Sequence, residues 1–314
     1  MTGRPIRLAV VAPASNAVQE KVHRGVEQLR ALGHEVKLMP HALGQQWPYF
    51  AATPEQRLAD LHAAFADPAV DAVICTRGGY GTNYLLEGLE LDLLRAHRKP
   101  FIGYSDHTAI QTWMLDRVGI PVLHGPMVAA DFSRHDGVDL LSFAAALGGD
   151  PYRLGAETGL RALRPGSASG LLYGGCLSLL VASLGTPYAA QTEGKLLFLE
   201  DLGEKPYQID RMLRQLRLAG KLDGVTGIIF GEMLDCASPG ALPDLTEKVI
   251  EAVLDWFPGP IAYGLRSGHV SRSNVTLPFG VEAQLTVIPE KETVNDTNTA
   301  ELHIGSRATR LTTS

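Results

Sequence analysis

The chain has 314 residues, 45% apolar and 20% charged, with 28 Lys and Arg against 34 Asp and Glu for a formal charge of −6. That length exceeds what one hydrophobic core usually serves and predicts two domains of roughly 150 residues each. The composition excludes a disordered chain, and the lack of a basic stripe excludes a nucleic-acid partner.

The amino terminus sets Arg4 and Arg7 before an apolar run, but Leu8 to Ala12 is shorter than a signal-peptide core and is predicted as a first buried strand. A helix follows from Val18 to Leu32, closed by Gly33, then a strand from Glu35 to Met39 and a helix from Pro54 to Ala66. Ala72 to Cys75 reads as a buried strand, Tyr84 to Leu89 as the start of a helix, and Phe101 to Gly103 as a strand running into a helix over Asp106 to Arg117. This alternation predicts a parallel sheet flanked by helices over residues 1–150. Periodicity lapses among Pro151, Gly155, Gly159 and Pro165, which predicts an interdomain linker over 151–165.

The uncharged stretch from Ser167 to Thr192 is long enough to cross a bilayer, but its glycines and Pro187 leave only Leu177 to Leu184 as a solid apolar segment, predicted as a buried core helix. Beyond it, strands are expected at Leu196 to Leu199, Gly227 to Phe230, Ile261 to Tyr263, Ala283 to Val287 and Glu301 to Ile304, with helices at Gln208 to Ala219 and Thr246 to Trp256. Residues 166–314 are therefore expected to form a smaller mixed α/β domain. Cys75, Cys176 and Cys236 are odd in number and far apart, which fits buried free thiols better than disulfides or zinc ligands. The protein is expected to be soluble, cytoplasmic and independent of membranes.

The chemistry concentrates where the strand ending at Gly103 turns into a helix. Gly103-Tyr104-Ser105-Asp106 has the pattern of a nucleophile elbow, in which a tight turn exposes a serine hydroxyl beside backbone N–H groups. The glycine usual two residues after the serine is replaced by His107, and a helix N-cap is the competing role for Ser105. Arg77-Gly78-Gly79-Tyr80-Gly81 follows another strand and reaches the same sheet edge. It reads as half an oxyanion hole, the Gly79 and Asp106 N–H groups being the donors, or as a simple tight turn; its spacing is not that of a dinucleotide loop. Arg77, Gly78 and Tyr104 are the candidate substrate contacts, Arg77 for a terminal carboxylate. Among ten histidines, His107 should point away from the hydroxyl, while His124 and His269 both follow strands and are not ranked by sequence physics. Glu200 is the first polar group at the end of a core strand, fitting either a carboxylate that orients an imidazole or one that satisfies a helix end.

Together these segments resemble the LD-carboxypeptidase family, which includes the microcin-immunity peptidases. The likeness runs from Val11-Ala12-Pro13-Ala14-Ser15 through the glycine loop, Gly103-Tyr104-Ser105-Asp106, His124-Gly125-Pro126-Met127, Gly174-Gly175-Cys176-Leu177-Ser178, Phe198-Leu199-Glu200-Asp201 and Pro206-Tyr207-Gln208-Ile209-Asp210-Arg211 to Gly268-His269. The resemblance implies Ser105 as nucleophile, His269 as base and Glu200 as its orienter. It further implies a flavodoxin-like first domain, a homodimer, no metal or cofactor, and a small peptide substrate cleaved between an L-centre and a terminal D-residue, as at the diaminopimelate to D-alanine bond of murein tetrapeptides in peptidoglycan recycling. An immunity-type peptidase acting on a peptidyl-nucleotide amide is the alternative within the family. A non-catalytic protein that captures a small anion is the alternative from another class. Cys176 stands where the family usually has asparagine, a difference on the substrate side.

Overall fold

The computed structural model describes residues 5–45, 49–120, 122–237, 240, 242, 244–288 and 299–306. Among these residues the strands are, in chain order, β1 (Arg7–Val11), β2 (Glu35–Leu38), β3 (Ala72–Cys75), β4 (Phe101–Gly103), β5 (Val122–His124), β6 (Tyr152–Leu154), β7 (Arg161–Arg164), β8 (Gly166–Cys176), β9 (Lys195–Glu200), β10 (Gly227–Gly231), β11 (Ile261–Leu265), β12 (Leu277–Phe279), β13 (Glu282–Ile288) and β14 (Thr299–Ile304). They fall into two compact units. The first runs to Asp150 and takes back Arg272–Gly280; the second comprises Pro151–Ser271 and Val281–Ser306.

The first unit is built on a sheet ordered β12-β5-β4-β3-β1-β2. β1 to β5 pair in parallel, in the flavodoxin-like order 2-1-3-4-5. Leu8, Val10, Ala72, Ile74, Phe101 and Ile102 are fully buried, the continuous apolar reading of strands covered on both faces. The helix Pro54–Ala66 starts where predicted because Thr53 and Gln56 form a reciprocal capping box at 3.1 and 3.2 Å and Pro54 occupies the first turn. Strand order reverses between β1 and β3, so the loops leaving β1, β3 and β4 share the edge at which such sheets bind ligands. β12 closes the other side of the sheet, antiparallel to β5 with Leu277 opposite His124. An edge position tolerates its Pro278, which has no N–H to give.

The second unit carries an eight-stranded sheet ordered β6-β14-β13-β8-β9-β10-β11-β7. Its centre, β8 to β11, is parallel, and antiparallel strands flank it. Two sequence expectations change here. The segment 151–165, read as a linker, supplies β6 and β7, paired with β14 and β11. The stretch read as a core helix from Leu177 to Leu184 is a shorter helix, Leu177–Ala182, in which only Leu177 and Leu180 are buried; the residues before it are β8. The glycines that made β8 look like a loop are required by it. A Cβ at Gly174 would lie 1.9 Å from the Phe198 carbonyl oxygen, so the strand packs backbone against backbone. Among the described residues no helix is long and apolar enough to cross a membrane.

Candidate active site

In the first unit, β4 ends at Gly103, Tyr104 stays extended, and Ser105 turns sharply with φ +65°, a left-handed conformation costly for a residue with a side chain. Such strain costs about 1–3 kcal/mol and persists only where the surroundings over-determine it. Here Gln111 Nε2 donates to the Gly103 carbonyl at 2.8 Å and Gly125 N–H to the same oxygen at 3.2 Å. A Cβ on Gly103 would strike the His107 ring at 2.8 Å, which accounts for glycine two residues before the serine. Ser105 does not cap the helix Thr108–Arg117, whose N-cap is His107, so the N-cap alternative is not what the turn uses.

The glycine loop after β3 is fastened to this elbow. Asp106, buried, accepts the Thr82 N–H on Oδ2 at 2.8 Å, and Thr82 Oγ1 donates to the Asp106 carbonyl at 2.6 Å. Gly78 lies so close that an added Cβ would sit 3.0 Å from Ser105 Oγ and 3.4 Å from the Asp106 nitrogen. Gly79 has φ +106°, and its Cβ would meet Ser15 Oγ at 2.5 Å, while Ser15 Oγ accepts the Tyr80 N–H at 3.1 Å. Gly78, Gly79, Ser105 and Asp106 are thus brought together. Arg57 holds the far end of the loop: its guanidinium, 1% exposed, donates to the Gly81 and Ala52 carbonyls at 2.9 and 3.1 Å and lies over the Phe50 ring. Sequence reasoning passed over Arg57, although a charge on the apolar face of the helix Pro54–Ala66, in line with Leu61 and Ala64, was the available signal.

The remaining candidates sit in different surroundings. Arg77 is exposed at the loop and donates to the Asn16 carbonyl at 3.4 Å. Tyr104, read as a substrate contact, turns its ring into the interior, where the hydroxyl reaches Asp131 Oδ1 at 3.4 Å. The extended backbone at Tyr104 sends that side chain to the face opposite Ser105. His107 is fully buried, and its Nε2 lies 3.0 Å from the Arg77 carbonyl, which only accepts, so Nε2 carries the hydrogen. Burial pushes this imidazole down to about 4, leaving it a neutral brace between elbow and loop. His124 is also fully buried, stacked on Phe279 with centroids 5.1 Å apart.

Glu200 and His269 meet in the second unit. Glu200 ends β9, and its Oε2 accepts the His269 backbone N–H at 3.0 Å and pairs with Nδ1 at 2.8 Å. The carboxylate is 0% exposed and the imidazole 17%. Two glycines shape this pocket: Gly231, which the sequence reading passed over, and Gly268, which it named only beside His269. A Cβ at Gly231 would fall 2.6 Å from Glu200 Cβ, and one at Gly268, where φ is +88°, 2.6 Å from Glu200 Cδ. Since a carboxylate accepts, Nδ1 carries the hydrogen and Nε2 presents its lone pair.

Cys176 is the register partner of Glu200 across β8 and β9. Its Sγ lies 3.5 Å from Asp201 Oδ1 and 3.3 Å from Ser178 Oγ. Burial first, then Glu200 and Asp201, push the thiol well above its ordinary range, so it remains an S–H donor. Asp201 accepts the Ser178 N–H at 2.7 Å and the Leu202 N–H at 2.9 Å, tying the end of β9 to the helix after β8. Burial and the neighbouring Glu200 push Asp201 up to about 6.

Comparison with known proteins gives this chemistry a class. The sequence matches the LD-carboxypeptidase N-terminal domain over residues 8–125 and the LD-carboxypeptidase C-terminal domain over residues 169–285, and the protein is a peptidase of two α/β units. It belongs to the LD-carboxypeptidase family. A probable murein peptide carboxypeptidase of Bacillus subtilis is 38% identical, the match covering 94% of this chain and 92% of that one. The microcin C7 self-immunity protein MccF of Escherichia coli is 29% identical over 86% of this chain and 87% of its own. The crystal structure of muramoyltetrapeptide carboxypeptidase from Oxalobacter formigenes, 27% identical, superposes with a TM-score of 0.82, covering 96% of this chain and all of that one.

Proposed function

We propose that this chain is a serine LD-carboxypeptidase that releases the terminal D-residue from a murein tetrapeptide, with Ser105 as nucleophile, His269 as base and Glu200 as orienter. The observation that carries the proposal is the elbow: a non-glycine residue held at φ +65° with its hydroxyl against Gly78. A nucleophile elbow uses such strain to present Oγ to a substrate carbonyl. In this reading His269 Nε2 takes the Ser105 proton as Oγ adds to the carbonyl carbon. The hydrogen bond from Nδ1 to Glu200 keeps the tautomer in which Nε2 carries the lone pair, and it stabilises the imidazolium that forms. The Asp106 and Gly79 N–H groups face the developing oxyanion, and neither donates to another protein acceptor among the described residues. His269 then gives its proton to the departing D-amino acid nitrogen, and water attacks the acyl-enzyme by the same route in reverse.

The substrate assignment draws on the names of the relatives, with 38% identity to the murein peptide enzyme against 29% to the microcin-immunity protein. A peptidyl-nucleotide amide remains the second substrate class, cleaved by the same steps. The cytoplasmic setting and the homodimer belong to the same proposal. The test is a fluorophosphonate label followed by mass spectrometry of product release. A Ser105 adduct, absent in Ser105→Ala, is expected, with D-alanine released from a murein tetrapeptide and little alanine from the L-epimer. Equal release from both epimers refutes the LD specificity, and neither label nor product identifies a binding protein.

A further inference from the structure

The loop that carries His269 is gripped by two carboxylates, and the proposed reaction uses only one of them. Glu200 holds His269 through its N–H and Nδ1, but both bonds converge on a single oxygen, Oε2. They fix a point and leave rotation about it to be set by the rest of the loop. Two residues on, Ser271 donates its N–H to Glu232 Oε2 at 2.9 Å and its hydroxyl to Glu232 Oε1 at 2.6 Å. Glu232 is the first residue past β10, the strand hydrogen-bonded between β9 and β11, so both carboxylates project from neighbouring strand ends.

Those strand ends are joined to each other. Leu202 and Leu234 form a parallel bridge, and the Gly203 N–H donates to the Leu234 carbonyl at 2.9 Å. The backbone that follows Glu232 is held in an unfavourable shape: Met233 has φ +50° and Asp235 φ +56°, two left-handed non-glycine residues within three positions. Such a conformation persists only under constraint, which the bridge and the Cys236 N–H to Met233 carbonyl bond at 3.2 Å supply. Ser271 is also the last residue of the second unit before the chain leaves for Arg272–Gly280 of the first.

We propose that Glu232 is a positioning residue for His269: by fastening Ser271, two residues on, it helps set the direction in which Nε2 points. The proposal rests on the reading of His269 as the base. Glu232 is partly exposed, so its charge is screened and its action is geometric.

The test is a double-mutant comparison of turnover on a murein tetrapeptide. A misplacement of about an ångström costs on the order of a hundredfold. Glu232→Ala is therefore expected to lower kcat about 10- to 100-fold with KM changed less than about twofold, and Glu232→Gln, which keeps one acceptor oxygen, to lose less. In a His269→Gln background, Glu232→Ala should change the residual rate by less than about twofold, because its effect passes through the imidazole. Wild-type kcat in both Glu232 variants, or an equal loss in both backgrounds, overturns the proposal. If Glu232→Ala does not fold, Glu232→Gln and Ser271→Ala carry the same comparison. Full activity in His269→Gln by itself defeats the reading of the base, independently of anything Glu232 does.

Discussion

Gly78→Ala isolates the contact between the glycine loop and the nucleophile. Gly78 lies outside the positive-φ region, so alanine brings no backbone penalty there, and the perturbation is the methyl group itself. That methyl would stand 2.8 Å from Ser105 Cβ and 3.0 Å from Oγ. Carbon atoms in contact settle at about 3.5–4.0 Å, so the serine side chain, the loop or both must retreat by roughly 0.7–1.2 Å. The elbow has little room, because Asp106 is bonded to Thr82 at 2.8 and 2.6 Å and Gly103 to Gln111 at 2.8 Å. Overpacking of this kind costs about 1–3 kcal/mol of stability. Displacing the nucleophile by about an ångström costs on the order of a hundredfold in rate. The variant should fold with a modestly lowered melting temperature, bind substrate with KM little changed, and lose about 100-fold in kcat and in fluorophosphonate labelling. Steady-state kinetics on a murein tetrapeptide beside a thermal melt separates the two effects. A folded Gly78→Ala protein with half or more of the parent kcat refutes the argument that the loop backbone positions Ser105.

Glu200→Gln should fold and yet lose on the order of a thousandfold or more in kcat, because its amide NH₂ opposes the Nδ1–H that the base requires, whereas His107→Gln, a change in a neutral brace, should be far milder; the opposite ranking refutes both assignments. Asp131 gives a pH dependence with a definite sign. Burial raises its carboxyl from 3.8 to about 6, so between these values the folded protein holds a proton that the unfolded chain has released. Its contribution to stability is therefore favourable at low pH and falls as pH rises through that window, by roughly 3 kcal/mol over two pH units. Urea midpoints of the parent protein should drop more steeply from pH 4 to 6.5 than those of Asp131→Asn, and identical slopes would show that Asp131 titrates normally.

The strands legible in the sequence were those whose stability comes from their own apolar side chains. β3 and β4 fall at the predicted residues, and β1, β9, β10 and β13 within about a residue or two, because short β-branched and apolar runs, or alternating ones as in β13, fit a strand better than a helix. β8 was hidden because its stability comes from the opposite property. Gly170 and Gly174 let it approach β9 and the turn at Gly194, and glycine in isolation signals a loop. β12 was hidden for another reason: three residues with Pro278 in the middle carry no pattern, and their pairing with β5 bridges residues about 150 positions apart. The domain boundary drawn at 166–314 misses this return of 272–280 to the first sheet.

The site divides along the same line. Ser105 stood out as part of a glycine-led turn after a buried strand and Glu200 as the polar residue that closes one, positions that local pattern marks. What holds them was not readable, since every brace comes from elsewhere in the chain: Thr82 and Gln111 on the elbow, Gly231 and Gly268 around the carboxylate. His269 shows the limit most clearly. Sequence physics left it level with His124, and the choice between them rested on resemblance. The fold separates them by environment: His124 lies fully buried against Phe279, while His269 keeps 17% of its side chain exposed with Nδ1 on Glu200. A general base needs one nitrogen anchored and the other reachable, and of these two imidazoles only His269 combines an anchoring carboxylate with an exposed edge.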